Sequence, residues 1–448
     1  MSEKIKSEAA QFGEKRYIAP TSLLRGKLAL PSSKYYTLRY LLAATLAEGE
    51  SIASFPAESE DSEALFRCCK ALGAELNWSD SQERVLRIRG IGRPTSTNPV
   101  MINVGNAGAV LRLVLGISAL LPEVTFVTDH PQSLGKRPNR ELLEALTALG
   151  AGCNGTGSEG YLPITIHGGD LRGGCVTISG ARSSQYLSSL LFLAPLIDEA
   201  VEIYVVDDLK SQALIHVTLS VLKEAGIVVE HDTALRHFSI AAGQRYQPRE
   251  YSVPGDYPSA AALLAACAVA TDPASEVTLA RLRPDEEVGV ELVRALHAMG
   301  ANLLVDDETL RLRGGRRLRG IEMNGDGVID CIPALVAAAC FAEGKSVFYN
   351  IESLHYKESD RINDLCTELR RAGCLVTPRN DAIIVRGQPQ GIEGGVVVDG
   401  HSDHRLLMAL AIVGLRSHRG LTLTGTEHIA KSYPHFFEDL QQLGAEVR

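Results

Sequence analysis

The residues in this chain best suited to chemistry are basic, and they recur in one kind of setting. Lys34 and Arg39 follow Leu30-Pro31-Ser32-Ser33, and Arg137 lies in Gly135-Lys136-Arg137-Pro138. Lys357 and Arg361 flank Glu358-Ser359-Asp360, Arg405 follows Asp403-His404, and Lys431 sits between Ala430 and Ser432. Each group stands in a short turn-like segment beside a helical run. A helix N-terminus already favours an anion, because its first N–H groups lack intrahelical acceptors and the macrodipole is positive there. Arginine adds a planar fork that grips carboxylate or phosphate with two hydrogen bonds, and lysine adds a point charge. Two more helix starts offer neutral ligands, Asn106-Ala107-Gly108 and Ser183-Ser184-Gln185. Taken singly, these groups have ordinary explanations as solvated helix faces and caps. Taken together, at helix starts in both halves of the chain, they point to a site for a small polyanionic molecule. His404, between an acid and an arginine, reads as an orienting neighbour rather than a proton carrier.

The elements that must position these groups repeat. An amphipathic helix, a glycine and a strand-like run return as CCKALGAEL at 68–76, ALTALGAGC at 145–153 and VLKEAGIVV at 221–229. They return again as ALHAMGANL at 295–303, ELRRAGCLV at 368–376 and DLQQLGAEV at 439–447. The six glycines, Gly73, Gly150, Gly226, Gly300, Gly373 and Gly444, are separated by distances that fall from 77 to 71 residues. Glycine ends a helix cheaply because it adopts a left-handed conformation without a Cβ penalty. Six such endings at near-constant spacing read as an internal repeat, each unit with about two helices and several strands. Turn-rich segments at Leu30-Pro31-Ser32-Ser33 and at 251–256 divide the series. The expected fold is α/β in two similar lobes of three βα-rich units. One lobe spans 33–252, the other 1–32 with 253–448, and the active site is expected in the cleft between them.

Composition narrows the partners. Lys plus Arg number 45 against 54 Asp plus Glu, a formal charge of −9, so no global positive field draws in a nucleic acid backbone. The apolar fraction of 45% is that of an ordinary globular chain. No uncharged apolar run reaches the roughly 18 residues of a membrane span, and the polar stretch Met1–Pro20 has no apolar leader core. Nine cysteines, none in a C-x-x-C pair, fit a reduced cytoplasmic protein better than a disulfide framework or a zinc module. Oligomeric state is not written in the sequence.

In detail the chain resembles the 5-enolpyruvylshikimate-3-phosphate synthase family (the 3-phosphoshikimate 1-carboxyvinyltransferases) within the enolpyruvyl transferases. The resemblance rests on LPSSK at 30–34, VGNAGAVLRL at 104–113, KRP at 136–138 and SSQYL at 183–187. It continues through PGD at 254–256, KESDRI at 357–362, SDHRLLMAL at 402–410 and AKSYPHFF at 430–437. The family implies two lobes of three similar βα units, phosphoenolpyruvate as a substrate, and no metal or organic cofactor. It implies that Lys34 lies between acceptor and phosphoenolpyruvate. By the same resemblance, Arg137, Gln185, Arg361, Arg405 and Lys431 hold the phosphate and carboxylate of phosphoenolpyruvate, and Asn106 and Gly108 line that pocket. Arg39 pairs with the acceptor's carboxylate, and Ser183, Ser184 and Ser211 hold its phosphate. Lys357 and Glu358 stand at the reacting atoms, with Glu358 exchanging a proton with the methylene carbon.

The chain also departs from the family pattern. Tyr35, Ala109, Leu214 and Ser353 stand where the family has Ser, Thr, Tyr and Asn. Where the family reads Ile-Pro-Asp, with an Asp that accepts the acceptor's hydroxyl proton, this chain reads Ile332-Pro333-Ala334. Losing a general base costs about 10²–10⁴ in rate. Most of these departures lie on the acceptor side, while the cations for phosphoenolpyruvate are complete. The expectation is a specialised paralogue acting on a shikimate-like, phosphorylated or unphosphorylated hydroxy acid, with Lys34, Glu358 or Asp330 supplying the base. A lyase that eliminates water, phosphate or a carboxyvinyl group from a shikimate-type ring is the second reading, and an inactive anion-binding paralogue the third. The related UDP-N-acetylglucosamine enolpyruvyl transferases fit less well, because no Cys lies in the 131–137 loop.

Overall fold

The helix–glycine step read six times in the sequence forms six times in space; a strand follows within the phrase at 75–80, 152–156, 302–306 and 375–379, whereas 227–229 is not strand and after the last glycine only Val447 makes a bridge. A computed structural model describes residues 13–80, 84–94, 98–283 and 286–448. The first twelve residues of the polar N-terminal stretch lie outside the described residues. Helices Glu60–Ala71, Arg140–Ala148, Gln212–Glu224, Glu287–Ala298, Asn363–Ala372 and Phe436–Gln442 each end one or two residues before a repeat glycine. Those glycines have φ between +83° at Gly226 and +109° at Gly73, a conformation in which any Cβ is strained.

The chain divides into two units: Ser32–Pro254, called here the middle unit, and Met1–Pro31 with Gly255–Arg448, the terminal unit. The middle unit holds three four-stranded sheets. Their strand orders are Glu250–Ser252, Glu48–Ser54, Val85–Ile91, Glu75–Asp80; then Val100–Asn103, Val124–Val127, Tyr161–His167, Gly152–Thr156; then Gly174–Ser179, Val201–Val206, His237–Ile240, Glu230–His231. In each, the first pair is parallel and the rest antiparallel. A parallel pair needs a long crossover. In the second and third sheets that crossover is a buried helix.

The terminal unit repeats the plan. Arg25–Ala29 pairs in parallel with Glu276–Ala280, and Glu322–Asn324 with Lys345–Tyr349. Its third sheet orders Lys15–Ile18, Leu421–Thr424 and Val396–Asp399, and a bridge from Ile18 to Val447 extends it. The two strands at the chain's divisions thus pair far from their sequence neighbours: Arg25 lies opposite Glu276, and Glu250 opposite Ile52.

Six helices form the cores. They are α1 (Lys34–Leu46), α2 (Gly108–Ser118) and α3 (Ser184–Leu193) in the middle unit, and α4 (Tyr257–Val269), α5 (Ile332–Ala339) and α6 (His404–Arg416) in the terminal unit. All thirteen residues of α1 and of α4 are buried. A helix buried on every side must be covered on every side, and the outer helices and sheets supply that cover. Within the middle unit α2 and α3 run parallel: Arg112 meets Gln185, and one turn later the Gly116 N–H donates to Ser189 Oγ at 3.0 Å. That closeness depends on glycine, since a Cβ on Gly116 would lie 2.6 Å from Ser189 Oγ and 2.8 Å from its carbonyl oxygen.

Gly116→Ala is expected to push the two helices apart. Overpacking of this kind costs ~1–3 kcal/mol, and each kcal/mol lowers the melting temperature by about 2–4 °C in a body of this size. A calorimetric melt compared with the parent chain checks this; an unchanged transition would mean that the pair slides without cost.

Candidate active-site residues

Some of the chemistry-bearing side chains stand at the N-terminal ends of the buried helices, and others in the segments that lead into the outer helices. In the middle unit Lys34 opens α1, and its Nζ lies 3.1 Å from the Asp61 carboxylate, both groups buried. Asp61 comes from the first turn of Glu60–Ala71, whose N-cap Ser59 accepts from the Ser62 N–H. Arg39, one turn further along α1, is also buried. Its Nε donates to Thr218 Oγ1 at 2.8 Å, and its two Nη atoms donate to the carbonyls of Tyr35 and Leu214. Leu214 and Thr218 belong to Gln212–Glu224, which is entered through Ser211 in a left-handed conformation (φ 55°, ψ 47°).

Arg137 and Gly108 form one contact. A Cβ on Gly108 would fall 2.4 Å from Arg137 Nη1 and 2.9 Å from Cζ, so the guanidinium lies directly on the bare start of α2. Asn106 stands in the turn before it, where the Gly105 N–H donates to Asn103 Oδ1. At the start of α3, Ser183 Oγ caps the helix by accepting from the Gln185 N–H, and Ser184 is buried.

A residue given no role from the sequence links these groups. Arg112, buried in α2, donates to Gln185 Oε1 at 3.0 Å, to Ser183 Oγ at 3.4 Å and to the Pro138 carbonyl at 3.3 Å. Its guanidinium also lies 5.1 Å from the centre of the Tyr186 ring, and the Tyr186 hydroxyl donates to the same Pro138 carbonyl at 2.6 Å. Burial pushes that phenol above its usual range, so it remains a neutral donor. The overlooked signal was a lone charge inside the apolar run Val110-Leu111-Arg112-Leu113-Val114. Asp61 was overlooked for the opposite reason, as one acid in an acidic first turn.

The terminal unit carries a denser set centred on Arg361, whose side chain is only 2% exposed. Its Nε donates to Asp403 Oδ2 at 2.7 Å and its Nη2 to Asp403 Oδ1 at 3.2 Å. Nη1 donates to Asp330 Oδ1 at 2.8 Å, and Nη2 also donates to Glu358 Oε2 at 2.8 Å. Burial opposes the charge, but the carboxylates of Asp403, Glu358 and Asp330 outweigh it, so Arg361 holds its proton more tightly than an ordinary arginine. Lys357 Nζ lies 3.4 Å from Asp330 Oδ1, and Lys431 Nζ lies 3.9 Å from Glu358 Oε1. Asp403 caps α6 through the Arg405 N–H. Arg405 Nη2 approaches Asp256, the cap of α4, at 3.5 Å.

Lys357, Glu358, Arg361, Arg405 and Lys431 therefore converge within one unit, together with Asp330. The position that raised the question of a missing base, Ala334, is a buried methyl in the first turn of α5. The carboxylate four residues earlier sits in the ion-paired cluster. Among the described residues, no group of three or more His, Cys, Asp or Glu is arranged to hold a metal ion. None of their helices is long and apolar enough to cross a membrane.

A family model described as EPSP synthase (3-phosphoshikimate 1-carboxyvinyltransferase) matches residues 18–440. A Deinococcus radiodurans protein named 3-phosphoshikimate 1-carboxyvinyltransferase is 45% identical over 432 residues, 96% of this chain and 95% of that protein. A Burkholderia pseudomallei protein of the same name is 37% identical over 430 residues, 95% and 94% of the two chains. Among solved structures, the EPSP synthase of Acinetobacter baumannii matches with a TM-score of 0.80 at 26% identity, covering 97% of this chain and 99% of that one. The enolpyruvyl transferase NikO from Streptomyces tendae matches at 0.76 with 16% identity over the same shares, a likeness of fold alone.

Because the Arg137 guanidinium lies on the bare Cα of Gly108, Gly108→Ala is expected to displace it. Overpacking of this kind costs ~1–3 kcal/mol, read as a lowered melting temperature against the parent chain. An unchanged melt would mean that Arg137 finds an equivalent position.

Proposed function

The chain belongs to the EPSP synthase family, and from that premise we propose that it transfers the carboxyvinyl group of phosphoenolpyruvate to a hydroxyl of shikimate 3-phosphate. In the first step the alcohol oxygen bonds to C2 of phosphoenolpyruvate, the CH₂ carbon gains a proton, and the alcohol loses one. In the second step the new methyl loses a proton, the double bond re-forms, and inorganic phosphate leaves with the electrons of its bond to C2. Each proton needs a positioned acid or base, and the departing phosphate needs cations.

Arg137, Gln185, Arg361, Arg405 and Lys431 take the phosphate and carboxylate of phosphoenolpyruvate in this reading, with Asn106 and Gly108 lining that pocket. Lys34, held by Asp61, stands between the two substrates. Arg39 takes the acceptor's carboxylate, and Ser183, Ser184 and Ser211 its phosphate. Glu358, between Arg361 and Lys431, moves the proton on and off the CH₂ carbon, with Lys357 beside it.

Asp330 takes the hydroxyl proton. The observation that carries this assignment is its carboxylate oxygen, 2.8 Å from Arg361 and 3.4 Å from Lys357. That carboxylate, in the same cluster as Glu358, supports shikimate 3-phosphate itself as the acceptor despite Ala334. Elimination from a shikimate ring and silent anion binding gain no support from the relatives' names. A cytoplasmic setting belongs to the same reading, supported by nine free cysteines.

Phosphate release and mass spectrometry of the products test it, with phosphoenolpyruvate and shikimate 3-phosphate together and each alone. A carboxyvinyl ether formed only from the pair is expected. A ring diene formed without phosphoenolpyruvate would overturn transfer in favour of elimination. Asp330→Asn is expected to lower kcat about 10²–10⁴-fold with the KM for phosphoenolpyruvate little changed, whereas Ala334→Asp should change kcat little. Full activity of the Asp330 variant would return the role to Lys34 or Glu358.

A further inference from the structure

The three buried helices of the terminal unit also end together. Ala268, Val269 and Ala270 at the end of α4, Phe341 just past α5 and Arg416 as the last residue of α6 line one cavity of about 240 Å³. The other walls include Thr271, Arg316, Arg317, Leu318 and Gln390. α4 alone has thirteen residues, so this cavity lies roughly 20 Å along the helix axis from the Asp256 end, at 1.5 Å per residue.

The charges here do not balance locally. Three arginines line the cavity and no carboxylate does. Arg317 is exposed and pairs with Glu343 at 2.8 Å. Arg316 is exposed, and neither it nor Arg416 has an ion pair among the described residues. Arg416 is half-buried, donates to the Pro389 carbonyl at 2.6 Å, and has its guanidinium 5.8 Å from the centre of the Phe341 ring. Burial alone pulls its proton affinity below that of an ordinary arginine, with no carboxylate to oppose the shift. Arg361, equally a cation in a core, shows the contrary behaviour because three carboxylates surround it.

Helix C-termini carry about half a negative charge each, and Arg416 answers part of that. The middle unit supplies an internal comparison. Where α1 ends, a cavity of about 100 Å³ is lined by Leu46, Glu48, Arg93, Pro195, Asp198 and Arg245, among others. There Arg93 pairs with Asp198 at 2.8 Å, and two carboxylates face two arginines. The helix ends alone therefore do not demand an acid-free set of arginines.

We propose that the terminal unit's cavity is a second binding site, for a small oxyanion (a phosphoryl or polycarboxylate metabolite) held by Arg316 and Arg416. The arginine forks suit phosphate and carboxylate oxygens. Thr271 and Gln390 add neutral hydrogen-bonding groups, and Phe341 and Leu318 flank a short carbon skeleton.

Hydrogen exchange of the full chain, followed by mass spectrometry, reads the site directly. Inorganic phosphate and citrate are titrated separately at constant ionic strength. At least one is expected to slow exchange in peptides covering 268–271, 315–318 and 389–391. Arg416→Met and Arg316→Ser should each raise the concentration for half-effect by about tenfold, and leave unchanged any protection at 357–361 and 403–405. Arg316 is exposed, so its variant tests the site without disturbing the core. A phosphate-only or citrate-only response assigns the oxyanion's chemistry and supports the site. No slowing by either anion, or slowing undiminished in both variants, would overturn it.

Discussion

Everything else in this protein follows from packing helices that are buried on nearly every face, side by side and with the same polarity. Such helices give each unit its core, but they also bring like helix ends together. The N-terminal ends gather unsatisfied N–H groups and partial positive charge, and the C-terminal ends gather carbonyls and partial negative charge. Ser183, Asp256 and Asp403 answer the first problem as caps. The same ends are where an anion is held most cheaply, so the capping residues and the substrate-binding candidates share one neighbourhood. Core construction and the placing of these candidates are one arrangement here.

The Arg361 cluster shows how a buried charge is kept in such a place. Isolated, a guanidinium in a core is strongly unfavourable. Three carboxylates around it reverse that balance and at the same time fix the directions of Asp330 and Glu358. The groups assigned to proton transfer are therefore oriented before substrate arrives, which is what general acid–base catalysis requires. In the middle unit Arg112 does the corresponding work for Gln185 and Ser183 with neutral partners.

Much of this was legible in the linear chain. The six glycines announced six helix endings because the left-handed conformation after a helix is a local matter of Cβ sterics. The helix-start cations were legible for a similar reason, since caps and turn residues act over three or four positions. The enolpyruvyl transferase likeness rested on such short stretches, and the matching relatives bear the family out.

Side-chain direction and strand partnership were not legible. The sequence position of Ala334, a buried methyl, says nothing of which carboxylates lie nearby in space. A turn of Asp326–Cys331 leading into α5 brings Asp330 to Arg361, 31 residues away. Arg25–Ala29 finds Glu276–Ala280, and Lys34 finds Asp61, through contacts that no local pattern encodes. Local sterics and hydrogen-bonding preference act within a few residues, so residue types alone carry them. Which charge meets which, and which helix ends share a cavity, depends on burying whole elements against one another. That balance is struck only when the chain is folded.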